Sequence, residues 1–311
     1  MSKKCPICES KQLIQVKNNY KSSGSLEIFR CDICDFEFLN SWDDVNHVKS
    51  LYEDDKYIFS HNVQDDPQIP LKFNEYEERF EWIKSHLHET KTLLEVGCGD
   101  GKFLRMVRDH VKLADGIELS PPQVKRLRED GFTCYDVMLD EMEPPRQYDI
   151  ICMFAVLEHV PLVVNFLSAL KKYMHQDTQV FIEVPNLNDA LVSGFDLPVF
   201  RDFYYRPVHL YYFTPKSLGK LLETSGFRYE LHTSQQASIT NHFHWMHKHK
   251  GQPNGNYMAS VVAPCEVSDK LPIRSILEEV DDHYRGLLRS AEMGDLLSAH
   301  VSLKKESFQS D

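Results

Sequence analysis

From residue 92 onward, short apolar runs alternate with helix-forming stretches. The runs fall at 93–96, 114–119, 131–136, 148–154 and 179–184. This alternation predicts parallel strands joined by crossover helices. The fourth run, Y-D-I-I-C-M-F, is almost wholly apolar, as a central strand covered on both faces should be. Helices are expected at about 101–110, from 120 to about 130, and from the end of the fourth strand to about 173. Ser120-Pro121-Pro122 and Thr214-Pro215-Lys216-Ser217 both place an N-cap residue ahead of Pro in a first turn. The second of these opens a helix to about 223, followed by a strand over 226–234. A last strand is expected at 296–303, about 60 residues further on, with a helix over 273–289 between. Ahead of this region, Phe73, Tyr76, Phe80, Ile83 and Leu87 carry the helical period over 73–88.

The first apolar run ends in a glycine turn, E-V-G-C-G-D-G, with Gly97, Gly99 and Gly101 at alternate positions. Glycine lets the backbone turn with positive φ and pass close to a ligand. The helix behind it presents free N–H groups. The G-x-G-x-G spacing differs from the G-x-G-x-x-G of dinucleotide folds, and no Lys-Ser/Thr follows as in a phosphate loop. Glu95, inside the strand, suits a ligand with a cationic end. Two more acids, Glu118 and Asp136, end the second and third strands. Glu158-His159 follows the fourth. All are carboxyl ends of strands, the edge where open parallel sheets bind ligands.

Together, E-V-G-C-G-D-G, G-I-E-L-S, Y-D-I-I-C-M-F-A-V-L-E-H-V and I-E-V-P-N resemble the class I S-adenosylmethionine (SAM) dependent methyltransferases, over residues 80–236 and the final strand. The resemblance implies an α/β, Rossmann-like seven-stranded sheet. It implies that Glu95, Gly97, Gly99 and Gly101 shape the methionine end of SAM. It assigns Glu118 to the ribose, Asp136 to the adenine and Phe154 to packing near the cofactor. It extends the cofactor-binding set to Cys98, Leu119 and Val137. In the commonest version of this fold the last two strands form a close hairpin, so the stretch before 296 reads as an insertion. The division is then a ribbon (1–40), a connecting segment (41–90), the SAM-binding core (91–236), the insertion (237–295) and the last strand with its tail (296–311).

The ribbon rests on C-x2-C repeated, Cys5 with Cys8 and Cys31 with Cys34. Two such turns can wrap one tetrahedral Zn²⁺. Strand-like pieces at 12–16 and 26–30, joined by a polar turn around Ser22-Ser23-Gly24, fit a zinc ribbon. The alternative is four reduced, unliganded thiols. Four Cys leave no open coordination position, so the zinc is expected to be structural.

Methyl transfer to a hydroxyl needs an acceptor held in line and a base for its proton. His159, beside Glu158, and His209, in the aromatic segment 200–214, are the candidates, with His209 preferred for acceptor contact or base. The alternative for His159 is a structural hydrogen bond at a helix start. A metal is expected only if a catechol-type acceptor must be chelated. In the connecting segment, Tyr52 and Tyr57 could touch SAM or substrate, or simply pack the ribbon onto the core. His242, His244, His247 and His249 read as a substrate-binding or solvated loop in the insertion, because no regular element presents all four and no acid lies among them.

Net charge −12 and pI about 5.7 speak against broad binding to nucleic acid or anionic membrane. No apolar run is long enough to span a bilayer, and the N-terminus lacks the apolar stretch of a signal peptide. The remaining Cys residues do not form a disulfide framework, so a cytoplasmic protein is expected. The four-Cys ribbon, the core and the insertion look like bacterial sugar and natural-product methyltransferases. That implies O-methylation of a sugar or glycan precursor. The alternatives are C-methylation of a nucleotide-linked keto sugar, an RNA methyltransferase gripping RNA with Lys3, Lys4, Lys11, Lys17, Lys21 and Arg30 of the ribbon, and a non-catalytic SAM-fold scaffold.

Overall fold

A computed structural model describes residues 4–18, 27–42, 75–206, 208–248 and 273–304. The turn expected at Ser22-Ser23-Gly24, Tyr52 and Tyr57 of the connecting segment, and His249 lie outside the described residues.

At the N-terminus, β1 (Leu13–Asn18), β2 (Glu27–Cys31) and β3 (Glu37–Leu39) pair antiparallel. The main sheet begins with five parallel strands: β4 (Thr92–Val96), β5 (Leu113–Ile117), β6 (Thr133–Tyr135), β7 (Tyr148–Phe154) and β8 (Met174–Pro185). The short β9 (Tyr211–Tyr212) leaves this sheet and pairs with β3. Next, β10 (Phe227–Ser234) and β11 (Leu296–Leu303) close the seven-stranded order β10-β11-β8-β7-β4-β5-β6, with β11 antiparallel to both β8 and β10. The expected Rossmann-like sheet is therefore present, with the last strand placed at 296–303 as the sequence predicts. The two closing strands do form a hairpin-like pair, but the insertion forms their connection.

The period of two sends alternate residues of each strand to opposite layers. Leu93, Ile150, Cys152 and Phe181 pack with α1 (Glu75–Ile83), α2 (Lys102–Val107) and α3 (Pro121–Glu129). Leu94, Val96, Ile151, Met153, Ile182 and Val184 pack with α4 (Val163–Leu170) and, beyond α5 (Pro198–Tyr204), with α6 (Pro215–Thr224). At the start of α6, Thr214 accepts from the Ser217 N–H (3.1 Å) while Ser217 Oγ accepts from the Thr214 N–H (2.9 Å), a reciprocal cap. Ser120 stands at the predicted N-cap of α3 but makes no side-chain cap bond.

The structure corrects an expectation about the insertion. Residues 242–248 are not a loop but part of α7 (Ile239–Lys248), followed in the insertion by α8 (Ile273–Ser290). Asn241, His242 and Trp245 form the buried face of α7, and Ser238 Oγ accepts from the Asn241 N–H at 3.2 Å at its start. The aromatic positions follow the helical spacing, and His242, His244 and His247 consequently leave the helix in different directions.

The ribbon sheet is continuous with the core through β9. Phe36 stacks on Tyr211 at 5.4 Å between centroids and meets Phe213 at 5.3 Å. Tyr205 donates its hydroxyl to buried Glu37 at 2.6 Å, and the Leu39 N–H donates to the Leu210 carbonyl at 2.8 Å. The aromatic segment thus ties the ribbon to the sheet edge while carrying His209.

Candidate active site

At the end of β4 the chain turns through three glycines, all with positive φ: Gly97 (71°), Gly99 (53°) and Gly101 (77°). Two of them also mark close approaches. A Cβ on Gly97 would lie 2.5 Å from Val156 Cγ2, and one on Gly101 2.2 Å from Leu127 Cδ2. The Ile117 carbonyl accepts from the N–H groups of Gly97 (2.8 Å) and Cys98 (3.1 Å), so β5 fixes the turn. Glu118 completes the cradle. Its Oε2 accepts from the Gly99 N–H (2.9 Å) and its Oε1 from Leu119 (2.9 Å) and Ser120 (2.8 Å). A carboxylate has about four lone-pair sites, so Glu118 keeps capacity for a ligand hydroxyl on Oε2. Burial raises its pKa, and the three N–H donors oppose that rise.

A cavity of about 190 Å³ opens beside this turn. Gly97, Glu118 and Leu119 border it on one side, Met138 and Leu139 on a second, and Ala155, Val156 and His159 on a third. A carboxylate beside the glycine turn, facing apolar walls, fits the ribose, methionine and base parts of SAM. Ala155, with φ of 55°, turns the chain out of β7 into this wall.

Several residues expected at the cofactor stand elsewhere. Phe154 points to the other layer, its ring 5.0 Å from Phe103 and 4.9 Å from the Arg79 guanidinium carbon. Ala155 and Val156 hold the place expected for it. The Cys98 side chain is buried under the turn, in the space Gly116 leaves open by lacking a Cβ. Asp136 is exposed and paired with Arg128 at 3.1 Å, which holds its carboxyl below the usual range. Neither Asp136 nor Val137 borders the cavity, whereas Met138 and Leu139 do. Glu95 is buried under the turn rather than on the cavity wall. Burial pushes its pKa well up, against the pull of Arg79, and its Oε2 has no hydrogen-bond partner among the described residues.

Beyond β7, the turn 157–159 brings together the three groups assigned to catalysis. One ligand-type atom each of Glu158, His159 and His209 lies within 4.8 Å of the others. The Leu210 N–H donates to the Glu158 carbonyl at 2.7 Å, which draws the His209 segment onto this turn. His159 Nδ1 lies 2.8 Å from the Val208 carbonyl. A carbonyl only accepts, so Nδ1 carries the proton in that bond and Nε2 is left as the basic nitrogen. The Glu158 carboxyl sits 3.8 Å from His159 Nε2, and the His209 ring lies 4.9 Å from that of His159. Glu158 is buried, neither of its oxygens has a hydrogen-bond partner among the described residues, and burial pushes its pKa to about 8.

Arg79 has no counterpart in the sequence reading. Its Nε and Nη2 donate to Glu183 Oε1 at 2.8 and 2.6 Å, joining α1 to β8 under the site. Burial works against the Arg79 charge, but Glu183 and Glu75 outweigh it. The helical pattern of 73–88 gave no hint, because a charged residue on a helix usually faces water.

In the ribbon, Cys5 Sγ lies 3.6 Å from Cys34 Sγ and Cys8 Sγ 3.5 Å from Cys31 Sγ, with all four sulfurs within 4.8 Å of one another. Zn–S bonds of about 2.3 Å at tetrahedral angles require sulfur separations of roughly 3.8 Å, which these thiols can meet with small shifts.

A mostly parallel seven-stranded sheet with one antiparallel strand, carrying a glycine turn and an acid at its carboxyl edge, fits the class I SAM-dependent methyltransferase fold. Residues 70–232 match the family model described as a methyltransferase domain, and the chain belongs to that family. Among curated proteins it is similar to the ubiquinone biosynthesis O-methyltransferase of Paraburkholderia phytofirmans, 31% identical over 35% of this chain and 51% of that protein. The chain thus spans about half the length of that relative. The corresponding protein of Aeromonas salmonicida is 26% identical over 60% of this chain and 83% of its own length. Among solved structures, a SAM-dependent methyltransferase from Archaeoglobus fulgidus aligns with 73% of this chain and 92% of its own, at 18% identity and a TM-score of 0.48. No helix among the described residues is long and apolar enough to cross a membrane.

Proposed function

We propose that this chain O-methylates a hydroxyl of a sugar or glycan precursor, with His159 as general base. The observation that carries this reading is the meeting of Glu158, His159 and His209, with His159 on the cavity wall. SAM, when bound, supplies a methyl group on a sulfonium as the electrophile. Glu118 would hold the ribose, and the Gly97–Gly101 turn would admit the methionine end. The Val208 carbonyl orients the His159 ring so that Nε2 can take the proton of the acceptor hydroxyl. Glu158, held largely protonated by burial, lies 3.8 Å from Nε2 and would leave His159 as the base near neutral pH. His209, on the tethered aromatic segment, would contact the acceptor. The insertion at 237–295 would complete the acceptor side, and the four Cys would hold a structural Zn²⁺.

The test is methyl transfer from labelled SAM into nucleotide sugars, glycans, catechols and RNA, read by mass. Product on a sugar oxygen supports the proposal. Product on a carbon next to a sugar ketone would favour C-methylation instead, and salt-sensitive labelling of RNA would favour the nucleic-acid reading. Failure to bind SAM, with Glu118→Ala indistinguishable from wild type, would end the enzyme reading.

A second reading has one observation behind it. Two imidazoles and a carboxylate within 4.8 Å form a set that could hold a divalent cation and chelate a catechol-type acceptor. Loss of turnover in EDTA, restored by Mg²⁺, would select it, whereas turnover indifferent to EDTA would dismiss it.

A further inference from the structure

The carboxyl edge of the main sheet carries two buried polar side chains that the cofactor and proton-transfer roles leave unused. Tyr204, on α5, is 8% exposed and Gln236, just past β10, is 3% exposed. Neither Tyr204 Oη nor Gln236 Nε2 has a hydrogen-bond partner among the described residues. The Glu158 carboxyl is in the same condition. Buried polar atoms are ordinarily partnered, because leaving water without a replacement bond is costly. Such atoms collected at the ligand-binding edge of a sheet point to a ligand that supplies the partners.

The strand register places them at one end of the fold. Glu158 follows β7, Asp189 follows β8 and Gln236 follows β10. Ser234 pairs with Leu296, which in turn pairs with Pro185, so the ends of β10 and β8 are level. Asp189 and Glu158 both act on the Tyr204 hydroxyl, which burial, ahead of these acids, keeps protonated. Tyr204 is therefore a neutral donor and acceptor at physiological pH, not a phenolate.

Both side chains are carried by backbone that is firmly held. The Phe200 ring of α5 meets Trp245 of α7 edge-on at 4.9 Å. The main chain of Gln236 is fixed from both sides. Its N–H donates to Asp295 Oδ1 at 2.9 Å, and its carbonyl accepts from Arg285 Nη1 of α8 at 2.6 Å. Only its amide is left to act. The inserted helices thus position the two residues rather than supply the contacts themselves.

We infer that Tyr204 and Gln236, with Glu158, are the acceptor-recognition residues, and that they hydrogen-bond the hydroxyls flanking the one that is methylated. Three separated polar groups suit a polyhydroxylated, non-planar ring better than a flat aromatic one. The inference rests on the sugar-acceptor reading above and assigns residues to it.

Tyr204→Phe and Gln236→Leu remove the polar atoms and keep most of the volume. For the accepted sugar, KM should rise about tenfold in each variant, the loss of one hydrogen bond, with kcat nearly unchanged. SAM affinity by calorimetry should stay at the wild-type value, and the melting temperature should hold or rise. An unchanged KM with a lowered melting temperature would make both residues structural and overturn the inference. If the panel yields a non-sugar acceptor, the sugar reading fails. A KM shift on that acceptor would then keep the recognition role of the two residues, and no shift would remove it. If nothing turns over, binding of the panel compounds to protein saturated with S-adenosylhomocysteine gives the same comparison by calorimetry. Equal affinity in wild type and variants, or no binding by any of them, overturns the inference.

Discussion

At the ends of β4 and β5 the pocket is built almost entirely from main chain. Three left-handed glycines make the turn, one carbonyl of β5 fixes it, and Glu118 spends its carboxylate on three N–H groups within the same 24-residue stretch, 97–120. At the ends of β7 and β8 the surroundings of the pocket are held by contacts between residues far apart in the chain. Arg79 reaches Glu183 across 104 residues, His159 reaches Val208 across 49, and the insertion fixes Gln236 through Arg285. The first half suits a ligand that never changes. The second can be altered by substitution in a loop or insertion without disturbing the sheet, which suits an acceptor that differs between relatives.

The contrast can be broken at its catalytic end first. His159→Ala should lower kcat by about 10²–10⁴-fold, the usual contribution of a positioned base, with SAM affinity nearly intact. His209→Ala should raise KM more than it lowers kcat. Equal kcat losses in the two would mean that the histidines act as one unit.

Arg79→Leu should destabilise the protein by about 3–5 kcal/mol, because it leaves Glu183 buried without its partner. The companion change Glu183→Gln in the same chain should restore much of that loss, as read by urea denaturation. No recovery would mean that Arg79 serves mainly to pack against Phe154.

On the cofactor side, Glu118→Ala should weaken SAM binding by roughly 10–100-fold, in line with about 1.5–3 kcal/mol for a hydrogen bond to a charged group. The acceptor KM should be unaffected. A change in acceptor KM of similar size would show that the two halves are coupled.

A further effect is in the pH dependence of stability. Glu158 titrates at about 8 in the fold, raised by burial from 4.5. The folded state therefore binds its proton more tightly than the unfolded chain. That stability is fully present below about pH 4.5 and is lost as pH rises through about 8. Glu158→Gln should flatten the decline of the melting temperature between pH 5 and pH 8.5, an interval spanning the shift from 4.5 to about 8. An unchanged slope would place the titration elsewhere.

Much of the site was readable before any coordinates. Gly97, Glu118, Leu119, His159 and the four ribbon cysteines stand where the linear pattern puts them relative to strand ends and turns. The corrections have separate causes. Periodicity tells which residues alternate along a strand but not which layer each set faces, so Phe154 was expected at the cofactor although Ala155 and Val156 form that wall. Asp136 follows its strand as expected, but Arg128, in the last turn of α3, holds it at the surface. The spread of four histidines over 242–249 argued against a regular element, yet their aromatic neighbours already carried the helical spacing that α7 adopts.

The amino-acid sequence alone determined the strand and helix order, the glycine turn, the cap at Thr214 and the cysteine pairing pattern. These depend on residues a few positions apart, whose torsional preferences and apolar spacing act locally. Only the tertiary structure decided that β9 would bind the ribbon to the core, that Arg79 would be buried against Glu183, and that Tyr204 and Gln236 would be buried with unpartnered polar atoms. Those choices depend on which distant surfaces exclude water together, and no local pattern encodes them.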